Sequence, residues 1–162
     1  MKLFGIKAYR RRGKRWKKTR NIKVVYPNLL LTTYPQYENH IWVSDFTYIK
    51  FQDGFVYLAT VLDLFTRKVV GCSVYTTQGT ILTLSAFMNA IHNNSRPEIF
   101  HSDNGKQYDA EVMIDTLETV GVQISRSAPG CPWENGYQES FYDKFKIDFG
   151  DPNRFKTLGE LV

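Results

Sequence analysis

Three carboxylates stand where their type and spacing allow chemistry. Asp45 falls within an alternating run, Ile41 to Ile49, on the same side as Val43 and Thr47. A carboxylate there is costly unless it faces water, is paired or binds a cation. Asp103 follows a short apolar run and lies within His101-Ser102-Asp103-Asn104-Gly105. Ligand-binding groups gather at the carboxyl ends of strands in open α/β sheets, although Asp-Asn-Gly is also an ordinary turn sequence. Glu139 stands in the first turn of a helix that begins near Tyr137, where an acid also complements the helix dipole. Taken singly, each has a plain explanation: a solvated strand face, a turn, a helix start. Taken together, two strand-associated Asp residues and a helix-start Glu can converge on one edge of a sheet. Three close carboxylates repel one another unless a divalent cation lies between them. Oxygen donors of this kind suit Mg²⁺ or Mn²⁺, and two such ions can clamp the attacking and leaving oxygens of a phosphodiester.

The elements that must position these residues follow from the hydrophobic period. Period two from Ile41 predicts a strand with Ile41, Val43, Asp45, Thr47 and Ile49 on one face and Trp42, Ser44, Phe46 and Tyr48 on the other. Asp53-Gly54 signals a hairpin turn, Phe55 to Leu64 a second strand, and Lys68 to Tyr75 a third, antiparallel across the short Thr66-Arg67 link. Leu84, Phe87, Met88 and Ile91 then fall at helical spacing. A fourth strand spans Glu98 to Ser102. A second helix runs from about Ala110 to Val120, with Asp109 as its N-cap and Gly121 as its stop. Val122 to Ser125 gives a fifth strand, Ser127 to Asn135 a loop, and the last helix carries Glu139, Phe141, Tyr142, Phe145 and Phe149. The order β-β-β-α-β-α-β-α is that of an α/β, ribonuclease H-like domain: a five-stranded mixed sheet with helices packed on it.

Charge divides the chain. Residues 1–25 hold eleven of the 21 Lys and Arg and no acid, so the other 137 residues hold ten bases against all sixteen acids. A basic arm (1–25) precedes an acidic domain (41–162), with a Pro-containing linker (26–40) between them. The arm, through Arg10, Arg11, Arg12, Lys14 and Arg15, suits phosphate contacts that displace counterions. An acidic domain that meets DNA needs cations near its carboxylates. Cys72 and Cys131 lie far apart without His at zinc spacing, which argues against a zinc site, leaves a disulfide open and suits reduced thiols in a cytoplasmic protein. No apolar run approaches a membrane span, and the basic N-terminus has no signal-type apolar stretch.

Four ordered blocks carry a resemblance to a known family. Trp42-Val43-Ser44-Asp45-Phe46-Thr47-Tyr48-Ile49 resembles the first-aspartate block of bacterial insertion-sequence transposases of the DDE superfamily, relatives of retroviral integrases. Asp63 to Gly71 resembles their second-strand block, His101 to Tyr108 their second-aspartate block, and Pro132 to Phe141 their glutamate block. Thirty-five residues separate Asp103 from Glu139, the spacing these enzymes show. The resemblance covers about Ile41 to the end. It implies Asp45, Asp103 and Glu139 as catalytic metal ligands for Mg²⁺ or Mn²⁺, strand cleavage and strand transfer on DNA, and a homo-oligomer acting on element ends and target. Asp63 is typically not a ligand in the family and is read as structural at its strand end. Lys146, seven residues after Glu139 on the same helix face, is a candidate for substrate phosphate, with a solvated lysine as the equal alternative. Lys144 lies off that face; Asp143 lies on it and has no assigned role. Tyr137 and Trp133 are candidates to stack on unpaired bases, with burial against the helix start favoured for Trp133.

Two departures temper the resemblance. Relatives usually carry a helix-turn-helix region, of which the basic arm resembles only the tail, and Arg154 to Val162 resembles the start of a helix that relatives complete. The chain is therefore expected to be a fragment or the product of a split or decaying gene. The alternative to an active transposase is a catalytically idle DNA-binding remnant, and a third reading is a nuclease that cleaves without joining.

Overall fold

The alternation that starts at Ile41 forms β1 (Ile41–Phe51), which pairs antiparallel with β2 (Gly54–Asp63) from Trp42 to Phe51 in this computed structural model. The structure describes residues 25–128, 131 and 136–162. Phe51 stands opposite Gly54, so the hairpin loop is Gln52-Asp53 and not Asp53-Gly54. Gln52 takes the left-handed conformation (φ 50°) that such tight loops require. β3 (Val69–Tyr75) pairs antiparallel with β2. After α1 (Thr80–Asn93), β4 (Ile99–Ser102) returns parallel to β1. After α2 (Glu111–Val120), β5 (Gln123–Arg126) runs parallel to β4. α3 (Gly136–Phe149) and the short α4 (Leu158–Leu161) close the chain. The sheet order is β3-β2-β1-β4-β5, the five-stranded mixed sheet that the sequence predicts.

Both faces of the sheet are covered. Trp42, Ala59 and Val61 pack with Leu82, Phe87, Met113 and Leu117 from α1 and α2. On the other face Ile41, Val43, Leu62, Leu64 and Ile99 meet Phe141 of α3 and Leu29 and Leu30 from the segment read as a linker. That segment is tied down further: the Leu29 N–H donates to the Ser125 hydroxyl (2.9 Å) and the Arg126 N–H to the Pro27 carbonyl (3.1 Å).

Two helix details differ from the sequence reading. α1 buries Leu82, Thr83, Ala86, Phe87 and Ala90, whereas Met88 is half exposed and Leu84 and Ile91 only flank the core. The helix turns its small residues to the sheet because it approaches β3 closely at Gly71. A Cβ there would lie 2.4 Å from the Ala86 carbonyl oxygen and 2.6 Å from the Ala90 Cβ. Gly71→Ala is therefore expected to lower stability by about 2–3 kcal/mol, the cost of overpacking a closed core, as read by urea or thermal melting. A melt indistinguishable from the parent would mean that α1 rides off β3 freely. The N-cap of α2 is Ala110, with no side-chain bond, not Asp109; Gly121 ends the helix in the left-handed conformation as expected.

Candidate active site

The pairing of β1 with β4 sets the position of the first two carboxylates. Their parallel register ends with Ser44 opposite Ser102, so Asp45 in β1 and Asp103 just past the carboxyl end of β4 are the next residues along the two segments. From there β1 continues with β2 on one side only. Asp45 bends its carboxylate onto its own chain, where Oδ1 accepts the Phe46 N–H (2.8 Å). Asp103 turns back likewise, its Oδ1 accepting the Gly105 N–H (2.9 Å). A larger residue at Gly105 would push the Asp103 carboxylate aside, because a Cβ there would lie 2.8 Å from Asp103 Oδ1. The loop that holds Asp103 is tied to the strand-5 side by Asn104, whose amide donates to the Ser127 carbonyl, and by the Ser127 N–H to the Ser102 carbonyl (3.1 Å).

The third carboxylate arrives on α3, and two residues to which the sequence assigned no role, Gln138 and Tyr142, anchor that helix. Gln138, fully buried, donates its side-chain N–H to the Val43 carbonyl (2.7 Å) and accepts from the Thr60 hydroxyl (3.2 Å). Tyr142, one turn later, donates to the Asp45 carbonyl (2.6 Å) and lies 2.9 Å from the Thr60 hydroxyl. The helix that carries Glu139 is thus bonded to the backbone of the strand that carries Asp45. The available signal was the i, i+4 pair itself: a glutamine and a tyrosine on the helix face that must turn inward. Glu139 projects from an adjacent flank and is exposed.

Electrostatics register the grouping. Asp45 holds its proton up to about pH 7, chiefly because burial penalises the anion; the Phe46 N–H works against this, and Asp103 and Glu139 add to it. Behind Asp103, Arg126 is buried at 2% exposure and donates to the Ser102 hydroxyl (2.8 Å) and the Tyr108 carbonyl (2.9 Å). Burial loosens its proton, while Asp109, Asp103 and two tyrosines oppose that. The sequence carried no sign of this inward-facing cation. Among the described residues, no three His, Cys, Asp or Glu side chains close on one point tightly enough to hold an ion between them. Repulsion among carboxylates opposes such closure. The donor set is nonetheless all oxygen, the chemistry that Mg²⁺ and Mn²⁺ take.

The remaining expectations divide. Asp63 is fully buried and accepts the Phe65 and Thr66 N–H groups (2.9 and 2.7 Å), so it fixes the turn into β3. Lys146 is exposed, with Nζ 5.4 Å from the Tyr48 ring centre. Asp143 is exposed. Tyr137 is 42% exposed and Lys144 is exposed; both border a cavity on another flank of α3. Arg10, Arg11, Arg12, Lys14, Arg15 and Trp133 lie outside the described residues. Cys72 and Cys131 are both free thiols. No helix among the described residues is long and apolar enough to cross a membrane.

Comparison with known proteins gives a consistent result. A family model described as an integrase core domain matches residues 35–132, and a second of the same description matches residues 120–162. The transposase for insertion sequence element IS904 of Lactococcus lactis is 35% identical over 127 residues, 76% of this chain and 50% of that protein. Transposase InsF for insertion sequence IS3A of Escherichia coli is 34% identical over 112 residues, 68% of this chain and 39% of that one. The chain thus spans about half the length, or less, of these relatives. In fold it is similar to the HTLV-2 integrase catalytic core domain solved with magnesium in a dimeric form, with a TM-score of 0.57 at 22% identity over 80% of this chain and 84% of that one. It is also similar to a chain of the simian T-cell lymphotropic virus intasome, with a TM-score of 0.61 at 23% identity over 65% of this chain and 37% of that one.

Proposed function

The chain belongs to the integrase core domain family, among insertion-sequence transposases of the DDE type, and we propose that its Asp45, Asp103 and Glu139 are the metal-binding catalytic carboxylates of a DNA strand-cleaving and strand-joining centre. The observation that carries this reading is the register of β1 and β4. It sets Asp45 beside Asp103, where a half-buried carboxylate already feels both other acids. Such a group is poorly satisfied by the protein alone and well satisfied by a hard cation. Bound Mg²⁺ or Mn²⁺ would polarise a phosphodiester and lower the pKa of the attacking water or hydroxyl. The chain's own residues do the rest. Gln138 and Tyr142 fix the helix that carries Glu139, Gly105 leaves room for the Asp103 carboxylate, and Arg126 offsets negative charge from behind. Lys146 is proposed to meet a substrate phosphate, Tyr137 an unpaired base, and Arg10, Arg11, Arg12, Lys14 and Arg15 the DNA backbone. Action on DNA is proposed to involve more than one copy of the chain, as the dimeric form of the HTLV-2 core suggests.

Labelled DNA incubated with the protein and Mn²⁺ tests the reading: joined products support it, cleavage alone supports a simple nuclease, and binding without products supports an idle remnant. Neutralising the five arm residues should weaken binding uniformly across sequences and flatten its salt dependence; an unchanged slope would make the arm a bystander. Gly105→Ala should displace Asp103 Oδ1 and weaken Mn²⁺ binding about 10- to 100-fold while leaving the melt of the metal-free protein near the parent's, as titration calorimetry can show. Unaltered Mn²⁺ affinity would place Asp103 outside the metal site.

A further inference from the structure

We propose that the cavity between the β2–β3 turn and α3, with Arg67, Tyr137 and Lys144 on its rim, is a subsite for one phosphate and its adjoining base on an unpaired DNA strand. The proposal rests on the DNA-processing reading above and adds residues that it does not use. The cavity holds about 450 Å³. Its floor is apolar, made by Leu62, Leu64 and Phe141. The Arg67 guanidinium lies over the Tyr137 ring, 4.4 Å from its centre. Guanidinium and phenol thus hold each other in place before any ligand arrives.

Three further features point to an anionic, partly aromatic ligand. Arg67 takes a left-handed backbone conformation (φ 61°), which Gly or Asn would adopt at less cost, yet this turn presents a charged side chain. Among the described residues the guanidinium makes no hydrogen bond and neither Arg67 nor Lys144 has a carboxylate partner. Asp63 also borders the cavity, but its carboxylate is engaged by the N–H groups of Asn39, Phe65 and Thr66 and by the Thr66 hydroxyl. Two cations with no carboxylate partner among the described residues, an exposed aromatic and an apolar floor suit a single nucleic-acid strand: charge for the phosphate, a ring face for the base.

The position suits a strand that passes over the start of α3. Tyr137, Ser140 and Lys144 repeat at i, i+3 and i+7 and so share one flank, while Glu139, Asp143 and Lys146 share another. Glu139 is two residues from Tyr137, so a strand cut at the carboxylates has only the width of one helix to cross before it reaches the cavity.

The test is fluorescence anisotropy of a labelled single-stranded oligonucleotide with the full chain in EDTA, across a salt series. Lys144→Gln, a change at an exposed helix position, should lower the slope of log affinity against log salt by part of the roughly 0.7 that one phosphate contributes. Arg67→Asn keeps the left-handed preference and removes the charge; combined with Lys144→Gln it should lower the slope by about 0.7, the share of one phosphate on a single strand, and affinity by tenfold or more at moderate salt. Tyr137→Leu should weaken binding roughly 5-fold or more with little change in slope, because stacking and not charge is lost. A parent that binds and a double variant with the parental slope and affinity would overturn the subsite alone. A parent that binds no DNA would overturn the DNA-processing reading and the subsite with it. Asp103→Asn separates the two further, since it should end cleavage and leave these binding curves unchanged.

Discussion

Without divalent cations the protein is expected to lose stability as pH rises from about 4 to about 7, and Asp45→Asn is expected to remove that loss. The Asp45 carboxyl keeps its proton up to about pH 7 in the folded chain, through burial first and through Asp103 and Glu139 besides. In the unfolded chain it ionises near the ordinary value of about 4. Below that value the carboxyl is neutral in both states, and its contribution to stability is fully present. Between the two values the unfolded chain has released the proton and the folded chain has not, so each pH unit costs about 1.4 kcal/mol. The total is about 4 kcal/mol, complete above pH 7, against the 5–15 kcal/mol typical of a whole domain. Asp45→Asn presents a neutral side chain at every pH, so its stability curve should be flatter by that amount. The variant should match the parent near pH 4 and exceed it at pH 8. Bound Mn²⁺ favours the carboxylate and should flatten the parent's curve too. Urea melts at pH 4.5, 6 and 8 with EDTA check this. Parallel curves for parent and variant would mean that Asp45 is solvated and ionised throughout, and the crowding of the three acids would no longer bear on stability.

The sequence made the frame of the site legible because strand period, turn residues and carboxylate spacing are local signals. Alternation through Ile41 to Ile49 placed Asp45 on the face shared with Val43, and that face is the one α3 covers. The short apolar run before Asp103 gave β4. What stayed hidden depends on contacts between distant segments. Nothing near Arg126 reveals that its guanidinium turns inward to Ser102 and Tyr108. The α1 stripe differs because helical spacing of the large apolar residues points to Met88, whereas the close approach at Gly71 selects Ala86 and Ala90. The Gln52-Asp53 loop was displaced by one residue because Asp-Gly is the commoner turn pair, while the register that decides the matter is set by the whole β1–β2 ladder. Gln138 reads as an ordinary surface residue of a helix until the helix is laid on β1, where its amide meets the Val43 carbonyl. Arg67 reads as a turn residue until α3 brings Tyr137 over it.

Asp103→Asn should abolish strand cleavage, a fall of a thousandfold or more if a metal-activated nucleophile is the main source of rate. It should also leave DNA binding nearly intact, because phosphate neutralisation uses other residues. In EDTA the variant should be as stable as the parent or slightly more so, since one of three mutually repelling acids has become neutral. With Mn²⁺ that order should reverse. Metal at about 100 times its dissociation constant stabilises the parent by roughly 2.7 kcal/mol, and a variant that lacks a ligand gains much less. The most direct measurement of the central claim is therefore thermal melting of parent and Asp103→Asn, with EDTA and with saturating Mn²⁺, beside a cleavage assay on labelled DNA. A Mn²⁺-induced rise in melting temperature in the parent, largely absent from the variant and accompanied by loss of cleavage, is the expected result. Equal Mn²⁺-induced shifts in the two proteins would contradict it, and with it the assignment of Asp103 as a metal ligand.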